Sequence, residues 1–292
     1  MIEHLQQTPT PPSRVVVLGA SGFVGNALIN HLTELNVETI PISSADIDLC
    51  ELAAVNSLRD LFHKEDVVVF VSALTPDKGK DIRTLMKNLA MGEHVSEALN
   101  ETPCSHVIYL SSDAVYADDL DLIGETSPCN PTSFHGLMHL ARERMLSIAL
   151  AESQIPLLIL RPSLLYGAND THNSYGPNRF LRIARETGTI ALFGEGEEKR
   201  DHVYVEDVAA MVGLGLSHKS RGILNIATGT STSFLNVAQA VVESLGEKVD
   251  IQFQPRTSPI VHCHFDNTLT HRAFPSFSYT SLADGMAETT SR

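Results

Sequence analysis

Arg14-Val15-Val16-Val17-Leu18-Gly19-Ala20-Ser21-Gly22-Phe23-Val24-Gly25 is the stretch on which the fold turns. Val15–Leu18 is a continuous apolar run, rich in β-branched residues, of the kind a parallel strand covered on both faces requires. Glycine ends it. Phe23–Glu34 follows at once, with Val24, Leu28, Leu32 and then Leu35 at helical spacing. A strand that runs through glycines directly into a helix opens a βαβ unit. Gly19 allows the tight turn, Gly22 lets backbone approach a pyrophosphate, and Gly25 lets helix pack closely on strand. The free N–H groups and partial positive charge of the helix N-terminus favour phosphate there. Gly19, Ser21, Gly22, Phe23, Val24 and Gly25 are therefore predicted to hold a dinucleotide.

The same rhythm continues outward. Thr39–Ile42 reads as strand two and Glu51–Phe62 as a helix. Val67–Val71 reads as strand three, Asp81–Leu99 as a long helix, Val107–Leu110 as strand four, Ser133–Ser153 as a second long helix and Leu157–Leu160 as strand five. Strands alternating with helices of this length predict an α/β fold: a doubly wound parallel sheet of the Rossmann type. After Gly167 the texture changes. Ala168–Asn178 is rich in Asn, Gly and Pro and reads as a loop, and the stretch from Gln254 has many Pro, Ser and Thr. The expected layout is a loose tail over 1–13, a dinucleotide domain over 14–167 to which 203–228 returns, and a smaller C-terminal substrate lobe from 168–202 and 229–292.

Composition narrows the partners. A formal net charge of -14 over 292 residues repels phosphate backbones and anionic lipid, so neither nucleic acid nor membrane is expected as a partner. No apolar run approaches the roughly 18–20 residues that span a bilayer. Met1–Ser13 has no apolar signal core, and the cysteines Cys50, Cys104, Cys129 and Cys263 have no pair spacing. A cytoplasmic location follows as the expectation. The ribose signal is neutral: Ser43-Ser44 stands where a carboxylate would favour NAD, and no Arg or Lys there invites a 2′-phosphate, so the cofactor is NAD or NADP.

Three further strings stand out: Leu110-Ser111-Ser112-Asp113-Ala114-Val115-Tyr116, Arg161-Pro162-Ser163-Leu164-Leu165-Tyr166-Gly167, and Arg200-Asp201-His202-Val203-Tyr204-Val205-Glu206-Asp207-Val208-Ala209. With the glycine turn they resemble the extended short-chain dehydrogenase/reductases, specifically the NAD-dependent epimerase/dehydratase family that acts on nucleotide sugars. The resemblance covers nearly the whole chain after residue 13. It implies adenine contact at Asp48 and Leu49, with Ser43 beside the ribose. It places the cofactor along Val71-Ser72-Ala73, supported by Asn88, with Pro162 beside the nicotinamide. It gives Ser112 the catalytic hydroxyl role and Arg200 contact with the substrate diphosphate, while Asp113 beside Ser112 reads as a helper acid or a plain turn residue. Asn178 and Arg256 are assigned to the same pocket. A homodimer paired through the two long helices is also implied.

The sequence departs from the family at its catalytic pair. The expected Tyr-x-x-x-Lys frame is filled by His135-Gly136-Leu137-Met138-His139. A phenol of pKa ~10 needs a nearby cation to act as a base at neutral pH, whereas a histidine of pKa ~6.5 does not. His135 is thus predicted to exchange the proton while Ser112 orients the reacting oxygen, with His139 on the same helix face supporting either His135 or the nicotinamide ribose. Imidazole is shorter than phenol, and a misplacement of about 1 Å costs roughly 100-fold. The competing reading is a protein that keeps cofactor and nucleotide sugar but has lost redox chemistry. A zinc pair at i, i+4 is a third, but no Glu follows His135 and His172 lies in a loop, so no metal is assigned. Ala114 has no ionisable group where dehydrating relatives carry a second acid, which leaves epimerisation or keto-sugar reduction.

Overall fold

Val15, Val16, Val17 and Leu18 are all fully buried, and their alternation divides the molecule. Val15 and Val17 face one apolar cluster, and Val16 and Leu18 face another. This is the period of two expected of a strand between two helical layers. The computed structural model describes residues 2–171 and 175–291. His172, raised above as a metal ligand, lies outside the described residues.

The first half contains β1 (Glu3–His4), β2 (Arg14–Leu18), α1 (Phe23–Glu34), β3 (Glu38–Ile42), α2 (Ala54–Leu61), β4 (Val67–Phe70), α3 (Ile82–Glu101), β5 (His106–Leu110), α4 (Phe134–Ala149) and β6 (Leu157–Pro162). The second contains β7 (Leu164–Tyr166), α5 (Pro177–Thr187), β8 (Thr189–Phe193), β9 (Lys199–Tyr204), α6 (Val205–Ser217), β10 (Ser220–Ile226), β11 (Ser231–Ser233), α7 (Phe234–Leu245), β12 (Asp250–Gln254), α8 (Thr268–Ala273) and α9 (Leu282–Ser291). The main sheet has the order β1-β10-β6-β5-β4-β2-β3. From β2 the chain goes to β3 on one side and then to β4 on the other, so the topological switch lies between β2 and β4. Open α/β sheets bind ligands in the crevice beyond the strand ends at such a point.

α1 and α6 cover one face of the sheet, and α2, α3 and α4 the other. β10 pairs parallel with β6, Gly222–Ile226 against Leu158–Pro162, so this segment belongs to the main sheet. Two small sheets, β11-β9-β7 and β12-β8, build the C-terminal lobe. Its apolar residues Phe180, Ile190, Leu192, Phe234 and Val237 continue the cluster that holds Leu28 and Val212, so lobe and sheet share one core. Each fully buried Val or Leu in it contributes roughly 1.5–3 kcal/mol. The Pro- and Ser-rich stretch after Gln254 nevertheless carries α8 and α9, the latter burying Met286.

The N-terminus differs from the loose tail expected of it. Glu3 and His4 pair antiparallel with Arg221 and Ser220. His4 Nδ1 meets Ser220 Oγ at 2.8 Å and Nε2 meets the Ala273 carbonyl at 2.9 Å. Gln6 and Thr10 donate backbone N–H groups to His218 and Ser217. Two residues are too few for a periodic signal, and every partner is more than 200 positions away. Among the described residues, no helix is long and apolar enough to cross a membrane.

Candidate functional site

The glycine turn is built as a phosphate cradle. Gly19 has φ 103°, a backbone conformation that suits glycine, and a Cβ there would stand 2.7 Å from Ser72 N. The ends of β2 and β4 therefore touch at the switch point. A Cβ on Gly25 would lie 2.1 Å from the Gly19 carbonyl, so α1 packs directly on the turn. Gly22 is the N-cap of α1 and no side chain caps the helix. Its first N–H groups are left for an anion. Ser21 and Gly22 are exposed at the turn, while Phe23 and Val24 are half-buried against the core. These residues fit a dinucleotide pyrophosphate.

Beyond the turn the cofactor residues separate into groups. Asn88 is buried, with Oδ1 accepting from Leu74 N and Nδ2 donating to Leu74 O, both at 2.9 Å, so it fixes the segment after Ala73. Pro162, also buried, ends β6 opposite Ile226. Asp48 is exposed and accepts from Cys50 N at 2.9 Å. Leu49 is turned into the core, and its carbonyl accepts from His94 Nδ1. At the end of β3, Ser43 holds a carboxylate that the sequence reading did not single out. Asp46 accepts from Ser43 Oγ at 2.6 Å and from Ser43 N at 2.9 Å, and these bonds hold its carboxyl below the usual range. The sequence places an acid four residues beyond the strand, and only the turn back shows that it belongs to the strand end.

α4 carries the histidines. Ser133 caps it, its hydroxyl accepting from Gly136 N. A Cβ on Gly136 would meet the Ala114 carbonyl at 1.9 Å, so the helix start lies against the turn Asp113–Val115 that holds Ser112. Half-buried His135 lines a cavity of about 450 Å³ with Leu74, Lys80, Thr84, Asn88 and Phe134. His139 is different. It is 4% exposed, its ring meets His135 edge-on at 4.6 Å, and its Nδ1 lies 2.8 Å from the Tyr109 hydroxyl on β5. Burial, His135 and Arg142 push it well below the ordinary histidine range, so it is neutral. Burial likewise keeps Tyr109 protonated. Arg142 beside it can only donate, so the phenol O–H goes to His139 Nδ1. His139 is thus sealed into the core rather than reaching a ribose: the helix packs over Tyr109 and carries it under the sheet.

Arg142, one turn further on, is fully buried. Its Nε donates to the Asn88 carbonyl at 2.7 Å, Nη1 to the Ser72 carbonyl at 2.7 Å and Nη2 to Asn88 Oδ1 at 3.2 Å. It thereby ties the histidine helix to the strand end that abuts Gly19. Its spacing from His135, two turns along one face, was the available signal. A second buried pair, Glu143 with Arg161 at 2.6 Å, is joined by Ser111 and Tyr116 and anchors the Ser112 turn to β6.

Ser112 caps its own turn. Its Oγ donates to Asp113 Oδ1 and accepts from Ala114 N, both at 3.1 Å. Asp113 is pushed up to about 6 by burial, against the pull of the Ser112 hydroxyl and Arg200. Asp113, Tyr116, Leu164, Arg200, His262 and Cys263 line a smaller cavity of about 150 Å³. Arg256, from beyond β12, joins Arg200 through Glu198. Asn178 is directed elsewhere: buried in the first turn of α5, it accepts from Gly167 N and donates to Asp170, clamping the loop. Among the described residues, no three His, Cys, Asp or Glu side chains are grouped to hold a metal ion.

Residues 15–227 match the family model described as NAD dependent epimerase/dehydratase family. A putative UDP-glucose 4-epimerase from Methanocaldococcus jannaschii is 26% identical over 278 residues, covering 86% of this chain and 89% of the relative. Among solved structures, UDP-N-acetylglucosamine 4-epimerase from Methanobrevibacter ruminantium is similar with a TM-score of 0.83 at 20% identity, covering 97% of this chain and 98% of that one. GDP-L-fucose synthetase from Naegleria fowleri, bound to NADP, gives 0.85 at 16% identity over 99% and 96% of the two chains. At these identities the structural likeness speaks for the fold alone.

Proposed function

The chain belongs to the NAD-dependent epimerase/dehydratase family, a family of enzymes, and from that premise we propose that it is an epimerase or ketoreductase of a nucleotide-linked sugar in which His135 is the acid/base. The observation that carries this reading is the place of His135. It opens on the larger cavity beside Asn88 and Leu74, where β4 ends next to the cradle, while Gly136 holds it against the Ser112 turn. The nicotinamide, when bound, supplies the carbon that takes hydride from the sugar and gives it back. His135 takes the proton of the sugar hydroxyl as that carbon is oxidised to a ketone, and returns it on reduction. Ser112 turns its hydroxyl from Asp113 to the sugar oxygen. The same proton, returned by His135, serves inversion of that centre and reduction of a keto-sugar alike. Ala114, having no ionisable group, favours either over dehydration.

Arg200 and Arg256 face the diphosphate in this reading. Asp46 favours NAD over NADP, since a fixed carboxylate at the end of β3 repels a 2′-phosphate. A second copy of the chain is expected across α3 and α4, where Ile82, Met86, Phe134, Leu137 and Ile148 are exposed. One observation favours the non-redox alternative: His139, in the frame of the family lysine, is sealed against Tyr109 and brings no cation to the cofactor.

The test is the nicotinamide absorbance of protein loaded with NAD or NADP, read across a panel of sugar nucleotides. A reduced band with one of them, stronger with NAD, and its loss in His135→Ala with nucleotide binding retained, is the expected result. Bound cofactor that never changes oxidation state points to the non-redox alternative. Turnover unchanged in His135→Ala removes His135 from the chemistry.

A further inference from the structure

Gly194-Glu195-Gly196-Glu197-Glu198 reads in sequence as a surface turn, but its last carboxylate lies between two arginines. Glu198 Oε1 is 2.6 Å from Arg200 Nη2, and Oε2 accepts from Arg256 Nη1 at 2.8 Å. Each oxygen serves a different guanidinium, one from β9 and one from beyond β12. Gly194 and Gly196, with φ 61° and 71°, turn the chain so that Glu198 faces back to this point. The remaining donors are partly spent: Arg200 Nη1 on the Val261 carbonyl and Arg256 Nη2 on the Phe193 carbonyl, while Glu197 lies 3.8 Å from Arg256. Arg256 Nε is buried with no acceptor. The three side chains are only partly buried, with 24%, 16% and 15% of Arg200, Glu198 and Arg256 exposed, so the cluster borders solvent and the smaller cavity.

Two guanidinium groups bridged by the two oxygens of one anion form the geometry that a phosphate group also satisfies. We propose that Glu198 is an internal stand-in for the ligand's phosphate. It occupies the Arg200–Arg256 pair in the ligand-free protein and must be displaced when an anion binds. This rests on the reading that these arginines face the diphosphate. Glu197 and Glu198 already neutralise both arginines, so an incoming phosphate meets a balanced cluster rather than a positive one. Its charge has to outbid a carboxylate held in place by the chain. Glu198 thereby sets the affinity of the pocket and selects for multiply charged anions over singly charged ones.

The experiment titrates NAD-saturated protein, whose cradle is filled, with uridine diphosphate and separately with inorganic pyrophosphate. Glu198→Gln and Glu198→Ala are expected to bind both probes about tenfold more tightly than the parent, a difference of about 1.4 kcal/mol. Glu195→Gln removes the same charge from an exposed position without an arginine partner and is expected to change nothing. Equal or weaker binding in both Glu198 variants overturns the proposal, because the carboxylate would then be organising the arginines rather than competing for them. Binding of neither probe by any form overturns it as well. A gain for pyrophosphate with no binding of uridine diphosphate upholds the role of Glu198 while removing the nucleotide from the proposed substrate.

Discussion

Asp113 is held where its charge is unwelcome. Burial raises its carboxyl from an ordinary 3.8 to about 6, with the Ser112 hydroxyl and Arg200 pulling the other way. An acid whose folded pKa lies above its unfolded one binds its proton more tightly when folded, so the folded state loses stability as pH rises from about 4 through 6. Asp113→Asn is therefore expected to be more stable than the parent at pH 7.5 and little different at pH 4. The full shift corresponds to roughly 3 kcal/mol, and the open cavity beside the carboxyl reduces the expected gain to about 2 kcal/mol. Urea melts at the two pH values check this, and equal melts at pH 7.5 would show that Asp113 bears no such strain. A residue kept at a cost to stability beside Ser112 is what a working site contains. His139 carries the opposite sign: burial holds its imidazole well below the ordinary range, so only the unfolded chain takes up a proton there, and stability falls as pH drops below about 6.5.

α4 shows both the reach and the limit of reading a helix from its spacing. Its existence and the common face of His135 and His139 follow from period alone, although the helix ends at Ala149, four residues short of the expected Ser153. Depth does not. One turn separates a half-buried ring on a cavity from a sealed ring on Tyr109, and only the packing of α4 over β5 decides which is which. Gly136 was equally mute, because its value lies in contact with the Ala114 carbonyl, a partner from another element. Alanine is the better helix former by about 1 kcal/mol. Yet a Cβ 1.9 Å from that oxygen has no room, so the clash wins. Gly136→Ala is expected to lose about 2 kcal/mol of stability in denaturant melts. It should also lose roughly 100-fold in turnover, since the helix start and His135 must move about 1 Å off the Ser112 turn. Turnover at the parental level would mean that this contact does not set the geometry.

At the scale of the molecule, the βα units were legible because each strand and helix carries its own periodicity, and the glycine turn states where they meet. The lobe was legible only as a change of texture. β8 and β12 pair in parallel, Thr189–Phe193 against Asp250–Gln254, and neither strand announces a partner some sixty positions away. The carboxylate between Arg200 and Arg256 belongs to the same class of long-range fact. So does β1, which lies outermost on the sheet beside β10. The strand it covers reads Ser-Arg-Gly-Ile-Leu-Asn-Ile, and without Glu3 and His4 part of its backbone N–H and C=O row would face water unpaired. Such a row is a template for strands of other molecules. Removal of residues 1–12 should leave the fold intact, since β10 keeps five residue pairs with β6. The shortened chain should nevertheless self-associate in a concentration-dependent way that light scattering detects and the full chain does not show. Glu3 and His4 would then serve as the sheet's guard against aggregation.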